Sequence, residues 1–303
     1  MKNRVDVYQK ILKFLSVLLA FAILFLVWTN RVQLVDLYGK IDLYWVGTGL
    51  ICYLANYFFR SLRLQRLSEN KLCFFTQAFK MSALHGFFSY LLPLRAGDAS
   101  LPLLLKSTSK IGLKQGTLFL IKTRFLDLSM LGIFTLAGSL VGARMISSQV
   151  QMIWFFTGIL LALSFFIMQR LGYIGNYLVK KKLNSSLDIL SILKFDSKEF
   201  LFTFLIWVFM YATQLCVVRS MGLDLGFSEV IFISAIQFPL QMLPVQGLAN
   251  TGNHEGGWVT AMMLMGFSSD TGLEFALVSH GILIFYVVVL GGAALFTGIK
   301  GQR

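Results

Sequence analysis

Charge is scarce in this chain, and negative charge scarcer still. Asp, Glu, Lys and Arg make up 14% of 303 residues, with 14 acids against 27 bases. No paired catalytic carboxylates, no phosphate-binding glycine loop, no Walker sequence and no seryl nucleophile elbow are found, so the common signatures of soluble hydrolases and nucleotide enzymes are missing. Cysteine is nearly absent as well. Cys52, Cys73 and Cys216 are odd in number, far apart and mostly inside apolar runs, which excludes a disulfide framework and a metal-ligand spacing and leaves them as packing residues. No motif asks for a metal or a cofactor.

What the chain has instead is apolar surface. Hydrophobic residues are 56% of the sequence and the mean hydropathy is +0.72, values that fit an integral membrane protein and no soluble domain of this length. The excess of Lys and Arg does not form a nucleic-acid stripe, because the cations sit at the ends of apolar segments. Topology accounts for them better. The first apolar run ends at "VWTNR" with no small-residue cleavage site, so it reads as a retained helix rather than a signal peptide.

Six stretches have spanning length: Ile11 to Trp28, Leu43 to Phe59, Thr117 to Gly142, Met152 to Met168, Phe200 to Val218 and Phe275 to Thr297. Two more, Phe74 to Leu92 and Val230 to Leu243, run into proline and glycine clusters and then resume as short apolar arms. The expected fold is an all-α polytopic membrane protein of about six spanning helices plus two re-entrant hairpins, eight segments if the hairpins are counted. It forms one membrane domain over 1–303, with halves 1–145 and 146–303. Each half reads span, span, hairpin, span, and an odd number of spans per half requires inverted topology. The cations before the first span, after the second, between the fourth and fifth, and at the end of the chain place both termini in the cytoplasm, in the cytoplasmic membrane. Residues 171–198, apolar and basic by turns, read as a cytoplasmic interfacial segment on anionic lipid.

The first break, "LLPLRAGD", places Arg95 and Asp98 where an apolar chain should hold neither. Pro93 stops the entering arm, Gly97 is expected to permit unusual backbone angles, and Asp98 is expected to cap the next arm. An arginine at the centre of a spanning helix costs roughly 2.5–3.5 kcal/mol on insertion scales, and its planar fork suits phosphate. The Arg95 guanidinium and the N–H groups of the arm that follows Gly97 and Asp98 therefore read as an anion site; the alternative is that Arg95 snorkels to the interface or pairs only with Asp98. In the second break, "LPVQGLANTGNHEGGW", Asn253 is expected to cap a short arm with Glu255 in its first turn. His254 and Glu255 serve either as proton carriers or as cap and loop hydrogen-bonding groups; "NHEGGW" lacks the second histidine of a zinc protease. In "KTRFLDL", Arg124 and Asp127 share a helical face and form either a structural ion pair or part of a cavity wall. Lys122 is placed to snorkel. Arg60 and Arg63 are placed to anchor the chain at headgroups, and His85 and His280 to pack between helices.

The ordered set "FFRSLRLQRL", "LLPLRAGD", "KTRFLDL" and "LPVQGLANTGNHEGGW" resembles the flippase-like membrane region of lysylphosphatidylglycerol synthetases and their stand-alone relatives. That family's first hairpin carries P-x-R-x-G-E followed by a basic residue; here Asp98 stands for the Glu and the basic position is lost. The resemblance implies lipid translocation without an attached aminoacyl-transferase domain. Arg95, Gly97, Asp98, Arg124, Asn253 and Glu255 would bind substrate, and Asp98, Asp127, His254 and Glu255 would gate or carry protons. Anionic membrane lipids are the expected partners, envelope-synthesis enzymes possible ones, and nucleic acid none. The alternatives are an accessory protein or transferase for lipid-linked sugars, with Asp98 or Glu255 as base, and a scaffold for envelope synthesis.

Overall fold

The computed structural model describes residues 39, 41–68, 74–109, 111–141, 147–181, 188–241 and 247–297. Contacts divide the chain between Ile41 and Asp42. Before the division only Gly39, in a turn, and Ile41 are described, so the expected span Ile11 to Trp28 lies outside the described residues, as does Cys73. The helices belong to the unit that begins at Asp42.

Every regular element among the described residues is helical. The helices are α1 (Leu43–Leu67), α2 (Phe75–Leu91), α3 (Ser100–Thr108), α4 (Leu113–Val141), α5 (Ser148–Lys181), α6 (Ser197–Ser220), α7 (Phe227–Gln241), α8 (Asn253–Leu264) and α9 (Ser269–Thr297). Single 3-10 segments, Pro93–Ala99, Asp188–Leu193 and Leu248–Asn250, lie between α2 and α3, α5 and α6, and α7 and α8. Helices α4, α5, α6 and α9 are long and apolar enough to cross a membrane. The protein is a polytopic helical membrane protein. Helix α1 has the length, at 25 residues, but carries Asn56, Arg60, Arg63 and Arg66 and is less apolar than those four. The 15 residues of α7 reach about 22 Å at 1.5 Å each, short of the ~30 Å hydrocarbon core.

Local chemistry sets the helix ends. The Asp42 carboxylate accepts the Tyr44 N–H at 2.9 Å to start α1, and Asp196 accepts the Lys198 and Glu199 N–H groups at 2.9 and 3.0 Å to start α6. Each thereby satisfies amides that have no partner inside the helix. Pro93 ends α2, and Leu92 before it is extended, with ψ 137°, as the clash with a following proline ring demands. Helix α7 keeps Pro239 in its interior.

Helix α6 packs along α1, α5 along α4, α7 against α4 and α9 against α2. The α4–α5 contact depends on glycine: a Cβ at Gly132 would run into the backbone of Gly158 and Ala162, and small residues of this kind let two membrane helices approach closely. Apolar clusters fill the remaining joints. Leu64, Met81, Leu105 and Phe119 join α1 to α4, and Met130, Trp207, Tyr211 and Phe238 join α4, α6 and α7. Most of α5 faces outward, with Met152, Phe156, Leu160 and Phe166 exposed, as a lipid-facing helix should be. The stretch expected at the interface over 171–198 is continuous helix to Lys181. Beyond it, Leu193 is buried against Leu126 and Met168.

Candidate functional site

Both breaks hold strained backbone. The described residues contain three non-glycine residues at positive φ: Arg95 at 54° in the first break, and Ala249 at 52° and Asn250 at 64° in the second. Left-handed backbone costs an L-residue roughly 1–2 kcal/mol, and such residues persist where surrounding structure over-determines them, characteristically at functional sites. The 3-10 segments that contain them touch each other.

Between the breaks lies a cavity of about 190 Å³. Arg60, Arg95 and Arg124 stand on its wall with Asp127, His85, Ser89, Tyr53, Tyr57 and Tyr90. From the second half of the chain, Trp207, Gln214, Gln241 and Asn250 join them. A smaller void of about 40 Å³ shares Arg60, His85, Arg124 and Asp127 and adds Arg63.

A chain of ion pairs braces this wall. Arg63 donates to Asp127 at 2.6 Å and to the Thr203 hydroxyl at 3.1 Å. Arg124 sits 4.0 Å from the other Asp127 oxygen and pairs closely with Asp98. Asp98 also accepts from the Ser89 hydroxyl at 2.6 Å and lies 3.9 Å from Arg95. Arg95 donates to the Gln241 carbonyl oxygen at 3.3 Å, which links the first break to the end of α7. Arg60 donates from Nε to Asn56 at 2.8 Å, and its guanidinium lies over the Tyr57 ring, 5.1 Å from the centroid. Four guanidinium groups thus face two carboxylates, and the balance is positive.

A second cluster lies behind Gln241, Asn250 and Tyr90. Glu255 pairs closely with His280 Nδ1 and accepts the Gly252 N–H at 2.7 Å. His280 Nε2 donates to the Ala249 carbonyl oxygen at 2.7 Å and so holds the left-handed turn. His254 stacks on His280 with centroids 4.5 Å apart, contacts Ser279 Oγ at 3.0 Å and reaches the Gln241 side chain at 3.4 Å. The Tyr90 ring meets the edge of His280 at 6.2 Å.

These positions correct several expectations. Gly97 does not have positive φ; it is needed because a Cβ there would strike the Phe88 carbonyl, and Arg95 takes the left-handed conformation instead. Asp98 does not cap α3, whose N-cap is Ala99 with no side-chain hydrogen bond. The carboxylate is committed to Arg124 and Ser89. Asn253 does not cap α8 either. That place belongs to Gly252 at φ 86°, and Glu255, in the first turn as expected, reaches back to its amide. Lys122 does not snorkel, since at 4% exposure it is buried against Glu199 at 2.6 Å. Arg63 is no headgroup anchor but the buried partner of Asp127.

Of the residues singled out in the sequence, Arg95, Arg124 and Asp127 reach the cavity wall, and Asp98 is one ion pair away. His254 and Glu255 belong to the second cluster. Asn253 opens α8, and neither it nor Gly97 lines the cavity. Sequence reasoning missed Arg60, Tyr90, Gln214 and Asn250 as wall residues and His280 as the partner of Glu255. Arg60, Arg63 and Arg66 recur every three residues, which on a helix puts them along one side and was the available signal for the first of these.

The family model described as the lysylphosphatidylglycerol synthase TM region matches residues 13–292. The chain belongs to this family. Membership agrees with the resemblance drawn from the hairpin motifs, and it ties the protein to lipid handling in a membrane. The match covers both breaks, the cavity and the histidine cluster. No curated protein and no solved structure matches the chain significantly.

Proposed function

We propose that this member of the lysylphosphatidylglycerol synthase TM-region family translocates an anionic lipid, phospholipid or polyprenyl-phosphate-linked, between leaflets, with the headgroup held in the cavity between the breaks. One observation carries the reading. Arg60, Arg95 and Arg124 line one cavity inside a largely apolar helical unit, and Asp127, the one wall carboxylate among the described residues, is taken up by Arg63. Guanidinium groups in low dielectric, held in place by their neighbours, are suited to binding a phosphate by paired hydrogen bonds.

The packing supports two re-entrant hairpins related by an inverted repeat. Helix α1 packs on its counterpart α6, α4 on α7 as α9 on α2, and α3 on α4 as α8 on α9. Each break then closes on the helix that follows it, through Asp98 and Arg124 in one half and Glu255 and His280 in the other. In this reading the first pair gates the cavity by charge alone. Glu255, with His254 and His280, exchanges protons; Glu255 faces His280 and the Gly252 N–H, and His280 in turn faces His254, the Tyr90 ring and the Ala249 carbonyl. In this reading both termini lie in the cytoplasm, which the distribution of Lys and Arg at the ends of the apolar segments supports.

The test is translocation of acyl-labelled fluorescent phosphatidylglycerol in proteoliposomes. Arg95→Gln, inserted normally, is expected to slow it at least tenfold, and Arg95→Lys to restore only part of the rate because a point charge replaces a fork. An unaltered rate in Arg95→Gln overturns the phosphate role. Consumption of the lipid in detergent, where no leaflets exist, would replace translocation with transferase chemistry.

A further inference from the structure

Helix α7 packs against α8, and the contact contains polar atoms that no described residue satisfies. Ser234 and Gln237 on α7 are fully buried, yet the Ser234 hydroxyl and both ends of the Gln237 amide have no hydrogen-bond partner among the described residues. On α8 the indole N–H of Trp258, fully buried as well, is in the same condition. Ser234 departs from the habit of the fold. Ser129, Thr203, Thr213 and Ser220, buried on other helices, fold back onto a carbonyl oxygen three or four residues earlier, the usual recourse of a hydroxyl inside a helix.

Helical spacing puts Ser234, Gln237 and Gln241 on one side of α7, and that side meets α8. A Cβ on Gly257 would come within 3.1 Å of the Gln237 side chain, and the Gln241 amide nitrogen approaches His254 Nδ1 at 3.4 Å. The line runs from Gln241 on the cavity wall to Ser234, about 10 Å along the helix axis. Leaving a buried polar atom unpaired costs about 1–3 kcal/mol, and the chemistry of these atoms selects what meets them. A cation is repelled by the N–H groups of Gln237 and Trp258, and an anion by the Gln237 carbonyl oxygen. Water both donates and accepts, carries no charge and is small enough for a closely packed seam.

We infer that the seam between α7 and α8 holds a row of ordered waters bonded to Ser234, Gln237 and Trp258, and that this row carries protons to and from His254 on the side away from the cavity. They enter and leave at Nδ1, the nitrogen turned toward α7. The groups facing His254 are Gln241 of α7, Trp258 of α8, and Ser279 and His280 of α9, with Glu255 paired to His280. The proton role rests on the reading of the histidine cluster given above; the hydration of the seam does not.

The experiment is X-ray radiolytic footprinting of the full chain in nanodiscs, which oxidises side chains beside bound water. Oxidation is read by mass spectrometry at Trp258, with the buried Phe119 of the apolar cluster joining α1 to α4 as the dry reference, after correction for the intrinsic reactivity of each ring. Wild-type Trp258 is expected to be oxidised despite its burial. Gln237→Leu, similar in size but unable to hold water, is expected to lower that oxidation about fivefold, the worth of one lost hydrogen bond, and to leave Phe119 unchanged. Ser234→Ala gives a second reading of the same effect should Gln237→Leu fail to fold. Thermal unfolding adds an independent sign: with water present Gln237→Leu lowers Tm, whereas in a dry seam it raises Tm by removing an unpaired buried amide. Trp258 oxidised no faster than Phe119, or a raised Tm, overturns the inference. In proteoliposomes, Gln237→Leu is expected to weaken the acceleration of lipid translocation by an imposed proton gradient, again about fivefold. A hydrated seam with that acceleration intact in Gln237→Leu overturns the proton route and leaves the proton role of the cluster standing. Wild-type translocation indifferent to the gradient overturns the proton role and the route together.

Discussion

The two breaks solve one structural problem with different chemistry. In the first, the carboxylate of Asp98 is held by a guanidinium 26 residues later, Arg124. In the second, the carboxylate of Glu255 is held by an imidazole 25 residues later, His280. Arginine stays charged at any pH a protein meets, whereas histidine is the side chain suited to change charge near neutrality. The first break is further tied to Asp127 and Arg63, a continuous run of ion pairs. The second is tied by hydrogen bonds to Ala249, Ser279 and Gln241. The two carboxylates are thus held at matching places in the chain, one by a guanidinium and one by an imidazole; in the proposed function the first serves to hold the phosphate and the second to respond to protons.

The largest expected effect breaks the fixed side. Asp127→Ala strands the buried Arg63, and loss of one partner of a buried pair costs roughly 3–5 kcal/mol; thermal unfolding in detergent should show it. Arg63→Met with Asp127→Leu should recover most of the loss, since two apolar groups replace the pair without leaving a charge unpaired. Next, Gly97→Ala should cost roughly 1–3 kcal/mol because its methyl meets the Phe88 carbonyl. Gly252→Ala, with open space around it but φ 86°, should cost about 1 kcal/mol.

The comparison sharpens when the two basic residues are exchanged. His280→Arg, which puts a permanently charged group against Glu255, is expected to reduce the dependence of transport on pH. Arg124→His should add to that dependence by putting an imidazole in place of the guanidinium against Asp98. If both variants keep the wild-type pH profile, the two breaks do not divide the work. The smallest effect lies outside the cavity, at the half-exposed Arg66 bonded to Asp196 at 2.7 Å. Partial burial raises the Asp196 pKa, but bonds from Arg66 and from the Glu199 and Lys198 amides outweigh it, so the net shift is downward. Its stabilisation is therefore full above the unfolded carboxylate value of about 3.9 and is lost as pH falls through the lower folded value. Arg66→Ala should cost less than about 1 kcal/mol, and that difference should vanish in acid.

Much of this was readable beforehand. Apolar runs of spanning length become α4, α5, α6 and α9, because in hydrocarbon a backbone must satisfy its own hydrogen bonds. Pro93 marks the end of α2 for an equally local reason, the clash of its ring with the residue before it. Glu255 was legible as a first-turn residue, from the affinity of carboxylates for helix N-termini. The partner of each charge was not. Arg63 and Asp127 are 64 positions apart, and nothing near either one announces the other. The helical spacing of Arg124 and Asp127 suggested a local pair, yet each finds its shorter contact elsewhere, in Asp98 and Arg63. Capping failed for a related reason: Asp98 has the chemistry of an N-cap, but a nearby guanidinium competes for it and wins.

The sequence by itself determined that the chain enters a membrane, that it does so as helices, and that two of these break around glycine, proline and charge. Those outcomes depend on composition and on neighbours within a turn or two, where transfer energy and backbone sterics act. Which side chains meet across the breaks, which carboxylate neutralises which cation, and which polar atoms are left facing the cavity were decided only by tertiary packing. Electrostatic pairing and hydrogen-bond satisfaction depend on distances through space, and the order of residues along the chain does not encode these until the helices have closed on one another.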